Sequence, residues 1–190
     1  MRYIGPKDRI SRREGVDIFG KKASRLNVPP GVHGPKGLGK RSEFGRQLRE
    51  KQKAKRIYGV SEKQFSAYVE TSQKHKNLTE LLERRLDNVV YRLGFAPTRP
   101  SARQIVSHRH ILVNGKILNI PSYRVSEDDT VALDAKAQDI PEIKNRLELN
   151  SQLPNWLERQ GAVGRMKRLP AKEDIQESFS EQEIIEYYSR

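Results

Sequence analysis

The side chains in this sequence that could do chemistry are arginines, lysines, an asparagine, hydroxyls and four histidines. Their spacing argues against covalent catalysis. There is no cysteine, which removes disulfides, thiolate nucleophiles and thiolate metal sites. His33, His75, His108 and His110 are scattered without a metal-ligand spacing. No Gly-x-Ser-x-Gly elbow occurs. Gly34-Pro35-Lys36-Gly37-Leu38-Gly39-Lys40 is glycine-rich and ends in lysine, but it lacks the spacing and the preceding strand of a nucleotide-phosphate loop. The chemistry that remains is non-covalent recognition of phosphate, which guanidinium forks match in shape and ammonium groups match as point charges. One candidate set is Arg85, Asn88, Arg92, Thr98, Arg99, Ser101, Arg103, Gln104, Ser107, His108 and Lys116. A second is Arg2, Lys7, Arg12, Arg13, Arg46, Arg49, Lys51, Lys53 and Arg56, with Lys36, Lys40 and Arg41 as a weaker third. The plain alternative for each is a solvated surface charge. Asp87 is expected to order a neighbouring arginine rather than to touch a polyanion.

The first set must be positioned by residues 78–133. Leu78, Leu81, Leu82, Leu86, Val89, Val90 and Leu93 recur at three- and four-residue steps, which predicts one helix from near Thr79 to the glycine at 94. Its other faces would carry Glu83, Arg84, Arg85, Asn88 and Arg92. Thr98 is a plausible N-cap for a second helix, with Pro100 tolerated in the first turn. Ala102, Ile105 and Val106 would face inward, leaving Arg99, Arg103, Gln104 and His108 outside. Two short β-prone runs flank Asn114-Gly115, the pair suited to a type I′ hairpin turn. Residues 123–125 and 130–133 could add strand around a turn at 126–129.

Elsewhere, the glycines and prolines of residues 1–45 leave no periodicity, apart from one short helical turn possible at 11–17. Residues 43–56 read as a basic helix. Ser61 can cap another, with Phe65, Tyr68 and Val69 on its core face; packing is preferred over base stacking for the two aromatics. Residues 141–150 read as a short helix, and Trp156 as a packing anchor. Arg165-Met166-Lys167-Arg168 could touch phosphate or form a solvated strand. The acidic segment 170–190 is expected to fold back on the N-terminal helices through Ile184, Ile185 and Tyr188.

Composition sharpens the partner class. Of 190 residues, 35% are hydrophobic and 32% charged, and the net charge is +13. The excess is one-sided: residues 1–76 hold 20 Lys and Arg against 7 Asp and Glu, whereas residues 77–190 hold 17 of each. Such a field attracts nucleic acid first. No apolar run approaches the roughly 18 residues of a membrane span, and the N-terminus has no apolar core like that of a signal peptide.

Arg85-Leu86-Asp87-Asn88-Val89-Val90-Tyr91-Arg92-Leu93-Gly94-Phe95, Ala102-Arg103-Gln104, Val113-Asn114-Gly115 and Ile120-Pro121-Ser122-Tyr123 resemble the RNA-binding module named after small-subunit ribosomal protein S-four. Outside the module, Arg2-Tyr3-Ile4-Gly5-Pro6-Lys7, Ser11-Arg12-Arg13-Glu14-Gly15, Gln47-Leu48-Arg49-Glu50-Lys51-Gln52-Lys53, Tyr58-Gly59-Val60, Leu153-Pro154-Asn155-Trp156-Leu157 and Glu183-Ile184-Ile185-Glu186-Tyr187-Tyr188-Ser189-Arg190 resemble the bacterial or organellar ribosomal family itself. The resemblance implies an α+β fold: a mostly helical domain, an inserted module of two helices and a small antiparallel sheet, and an extended basic N-terminal arm. The expected divisions are an arm over 1–45, a helical domain over 46–77 completed by 165–190, and the module over 78–164. It implies a non-enzymatic constituent of the cytoplasmic or organellar small ribosomal subunit, without cofactor or small-molecule substrate. Its implied partners are ribosomal RNA, ribosomal proteins S-three and S-five, and messenger RNA near the entry, where Lys36, Lys40 and Arg41 would lie. It further implies early assembly and an influence on decoding accuracy. A free RNA chaperone or regulator, including of its own message, is the alternative. Some family members carry a zinc-binding cysteine cluster near the N-terminus; here no cysteine is present and His33 alone cannot replace it. Pro100 and Arg109 also depart from the usual module pattern.

Overall fold

The structure, a computed structural model, describes residues 3–20, 25–37, 42–75, 77–149, 152–175 and 177–189. The chain divides into two compact units, Met1–His75 with Glu177–Arg190, and Lys76–Gln176. The architecture is α+β and mostly helical, with one small antiparallel sheet.

In the first unit, α1 (Lys7–Glu14) starts before the stretch that the sequence marks as a helical turn and runs for two turns. It stops at Gly15, whose φ of 72° suits a left-handed C-terminal residue. The basic helix α2 (Glu43–Ile57) is capped by Ser42, whose hydroxyl accepts from the Gly45 amide at 3.2 Å. In front of α3 (Glu62–His75), Ser61 accepts from the Gln64 amide at 3.4 Å. Phe65, Tyr68 and Val69 are buried, as core spacing predicts.

The second unit opens with a departure from the periodicity. One helix was expected through residues 79–93, but two form: α4 (Leu78–Glu83) and α5 (Leu86–Arg92). Arg85 between them is extended, with φ −65° and ψ 136°. A second stretch of chain takes up the backbone groups there. The Leu86 amide donates to Tyr123 O at 2.9 Å, Asp87 to Pro121 O at 3.2 Å, and Val125 to Arg84 O at 2.9 Å. The 123–125 segment thus forms a single bridge, Arg85 to Arg124, rather than a strand of the sheet.

Next come α6 (Arg99–Ser107), capped by the Thr98 hydroxyl, and the hairpin β1 (Ile111–Val113) and β2 (Lys116–Ile117). Asn114 and Gly115 both have positive φ, 50° and 77°, as a type I′ turn demands. After β3 (Thr130–Leu133) come the short helices α7 (Ala135–Gln138) and α8 (Pro141–Glu148) and the strands β4 (Leu157–Gln160) and β5 (Val163–Met166). All pairings are antiparallel, in the order β2-β1-β3-β5-β4. Apolar side chains of α5, α6 and the sheet share one core with Trp156 and Ile143. Gly164 lies so close to Leu93 that a Cβ there would sit 2.5 Å from its methyl carbons.

The chain ends in α9 (Glu181–Tyr188), which packs on α2 and α3 within the first unit. Ile184 is fully buried, and the Tyr188 ring lies 6.4 Å from Phe65. Polar contacts align the helix: Gln47 Nε2 donates to Glu186 Oε2 at 3.1 Å, and the Ser180 amide to Glu50 Oε2 at 2.9 Å.

Candidate nucleic-acid interface

In the second unit the break between α4 and α5 builds the site. Glu83, Arg84, Arg85, Asp87 and Asn88 are all buried, although helical spacing assigns four of them to outer faces. They are buried because they satisfy one another, the condition under which charge tolerates low dielectric. Asp87 accepts from Arg85 Nε at 3.1 Å and Nη2 at 2.9 Å, and its Oδ2 also accepts from Arg103 Nε at 2.9 Å. Asp87 therefore joins α5 to α6. Glu83 holds Arg92 as a bidentate fork, Nε at 2.9 Å and Nη2 at 2.8 Å, and accepts from Asn88 Nδ2 at 2.8 Å. Asn88 passes the contact on, its Oδ1 accepting from Arg99 Nε at 2.8 Å. The Arg99 guanidinium also lies 4.8 Å from the centre of the Tyr91 ring, a cation–π distance.

These contacts leave a graded surface. The Arg85 side chain is 1% exposed, Arg99 13%, and Arg92 and Arg103 23% each. Gln104, Ser107, His108 and Lys116 are exposed, and Thr98 and Ser101 half-buried. The candidates of this unit thus separate into an inner guanidinium layer fixed by carboxylates and an outer polar layer on α6 and the hairpin. The sequence places Glu83 only on an outer helix face and gives neither Glu83 nor Tyr91 a role in the site. Nothing in their local spacing marks them, since their partners arrive from α5 and α6.

In the first unit, Glu14 is buried and accepts from Arg49 Nη1 at 3.4 Å and from Arg56. Arg12 donates to Val28 O at 2.9 Å and Pro29 O at 3.0 Å, clamping the loop after α1. Lys51 is 6% exposed, bonds Glu62 at 2.8 Å and lies 4.5 Å from the Tyr187 ring centre. Burial opposes ionisation of Glu62, but hydrogen bonds from Lys51, Lys55 and Tyr188 outweigh it and bring its pKa down to about 2. Lys53 donates to Glu50 and to Ser178 O. Lys7 stands 5.6 Å from the Phe19 ring centre, Arg46 pairs with Glu183 at 3.3 Å, and Arg13 and Lys36 are exposed. Arg2, Lys40 and Arg41 lie outside the described residues. Among those described, no group of His, Asp and Glu is arranged to hold a metal ion, and no helix is long and apolar enough to cross a membrane.

Ordered guanidinium groups on a helix pair, backed by a small sheet and joined in one chain to a strongly basic helical unit, are the features of a polyanion-binding protein. Two family models match it: the ribosomal protein S4/S9 N-terminal domain over residues 2–87, and the S4 domain over residues 84–131. The chain belongs to the ribosomal protein S4 family, and its role is structural binding of ribosomal RNA in the small ribosomal subunit.

Proposed function

We propose that this chain is a primary binder of small-subunit ribosomal RNA, of the bacterial or organellar type, which gathers several RNA helices at a junction early in assembly. The observation that carries the reading is the inner guanidinium layer, Arg92, Arg99 and Arg103 held at defined positions on α5 and α6. A junction presents phosphates at fixed spacings, and fixed forks select such an array where mobile ones do not. A-form RNA hides its major groove, so recognition goes through backbone, 2′-hydroxyls and shape. Thr98, Ser101, Gln104, Ser107, His108 and Lys116 supply the outer contacts, while Arg85 and Asn88 act through their buried partners. On the basic side the contacts are Arg2, Lys7, Arg13, Arg46, Arg49, Lys53 and Arg56, while Arg12, bonded to the Val28 and Pro29 carbonyls, and Lys51, buried against Glu62, act by ordering the unit that carries them. Family membership supports a place beside ribosomal proteins S3 and S5 near the messenger entry, with Lys36, Lys40 and Arg41 towards the message, and an influence on decoding accuracy.

Binding to a small-subunit RNA junction fragment, against a scrambled hairpin of equal length, tests this across a salt series. The junction should win by orders of magnitude, and log K should fall steeply with log salt, as for roughly six to ten neutralised phosphates. Equal binding to both RNAs sinks the proposal and leaves a non-specific polycation.

A further inference from the structure

We infer that Glu83 is a positioning residue for RNA recognition: a buried carboxylate that strengthens binding to a polyanion by holding Arg92 and Arg99 in their bound geometry beforehand. The inference rests on the RNA-binding reading above and concerns the same site.

Simple electrostatics predicts the reverse. A carboxylate repels phosphate, so its removal should tighten binding. Three observations argue otherwise. First, the Glu83 side chain is 1% exposed, so it is shielded from direct contact with a ligand. Second, both its oxygens are committed to the cationic layer. Oε2 accepts from Arg92 Nε at 2.9 Å, and Oε1 accepts from Arg92 Nη2 at 2.8 Å and lies 3.9 Å from Arg99 Nη2. Third, Asn88, itself 1% exposed, links Glu83 to Arg99, its Nδ2 donating to Glu83 O at 3.0 Å and to Glu83 Oε2 at 2.8 Å while its Oδ1 accepts from Arg99 Nε. The Tyr91 ring then supports the Arg99 guanidinium. Two of the longest and most mobile side chains are thus ordered in the free protein, and their like charges tolerate proximity because a carboxylate lies between them. Ordering that is complete before association is not charged against affinity.

The test compares four full-length proteins on the junction fragment: the unmodified chain, Glu83→Gln, Arg92→Ala/Arg99→Ala, and all three substitutions together. Glu83→Gln should weaken binding about tenfold, the cost of ordering two long side chains on the complex. In the arginine-free background the same substitution should cost almost nothing. Unchanged or tighter binding by Glu83→Gln overturns the inference. An equal loss in both backgrounds also overturns it, because that is the signature of a merely structural role. A second readout needs no RNA and survives failure of the junction reading. In the unmodified protein the Nε protons of Arg92 and Arg99 should be observable by NMR and slow to exchange with water. Exchange as fast as that of exposed arginines would also refute the inference, even in a protein that prefers the junction. If Glu83→Gln fails to fold, Tyr91→Leu takes its place. It changes no charge and should weaken binding several-fold, but only while Arg99 is present; a loss independent of Arg99, or none, counts against the inference.

Discussion

Acids are the side chains on which this protein turns, and each, whether buried like Glu14 and Asp87 or exposed like Glu62, is explained by the cations it holds. Glu14 orders Arg49 and Arg56, Glu62 orders Lys51 and Lys55, and Asp87 joins Arg85 to Arg103. The Glu62 group has a measurable consequence. Its folded pKa of about 2 lies below the ordinary glutamate value of 4.5, so its contribution to stability is complete above about pH 4.5 and is lost as pH falls towards 2. Glu62→Gln should therefore flatten the acid limb of the melting-temperature profile of the helical unit across that window. Parallel profiles for the two proteins would show that Glu62 is uncoupled from folding. The effect should be modest, because the Glu62 side chain is 49% exposed and solvent screens its pairs. Basic candidates such as Arg12 and Lys51 were identifiable by type and position. Their inward engagements, with the Val28 and Pro29 carbonyls and with Glu62, were not, because every partner but Glu62 lies more than a dozen residues away.

The elements show where local rules hold and where they yield. Thr98, Ser42 and Ser61 each cap the helix that follows, and Asn114-Gly115 makes the hairpin turn, because those preferences are satisfied within a few residues. The break at Arg84-Arg85 has no local signal: the stretch lacks glycine and proline, and its apolar positions continue in helical register. Distant backbone groups at residues 121–125 replace the helical hydrogen bonds. Strands β4 and β5 are likewise faint in the sequence, where residues 165–168 admit a solvated strand and the stretch before them offers only Trp156 as a packing anchor. The pairing of β5 with β3 also explains Gly164, set against Leu93 at the centre of the core. Gly164→Ala should destabilise the module by about 1–3 kcal/mol, since Leu93 is fully buried and has little room to move. Denaturant melts of the two proteins measure it, and a shift below a few tenths of a kcal/mol would show that the sheet can slide away from α5.

Taken as a whole, the molecule is asymmetric in charge. All of the net +13 lies in residues 1–76, while residues 77–190 balance. The basic part should therefore set the salt dependence of binding, and the module its selectivity. Arg9 and Arg13 are exposed on successive turns of α1. Their joint replacement by glutamine should lower the slope of log K against log salt by about 1.5, close to the counterions of two phosphate contacts, while the preference for junction over scrambled RNA persists. An unchanged slope would remove α1 from the interface.

By itself, the sequence determined the class of partner, the mixed and mostly helical architecture, the caps, the hairpin and the family, because charge balance, periodicity and turn chemistry are local properties. It could not determine which charges turn inward. Whether a guanidinium faces water or a buried carboxylate depends on groups brought from remote parts of the chain: residues 121–125 against the α4–α5 break, α6 against α5, and α9 against α2. Folding alone sets those distances. They separate the arginines available at the surface from Arg85, which is sealed beneath it.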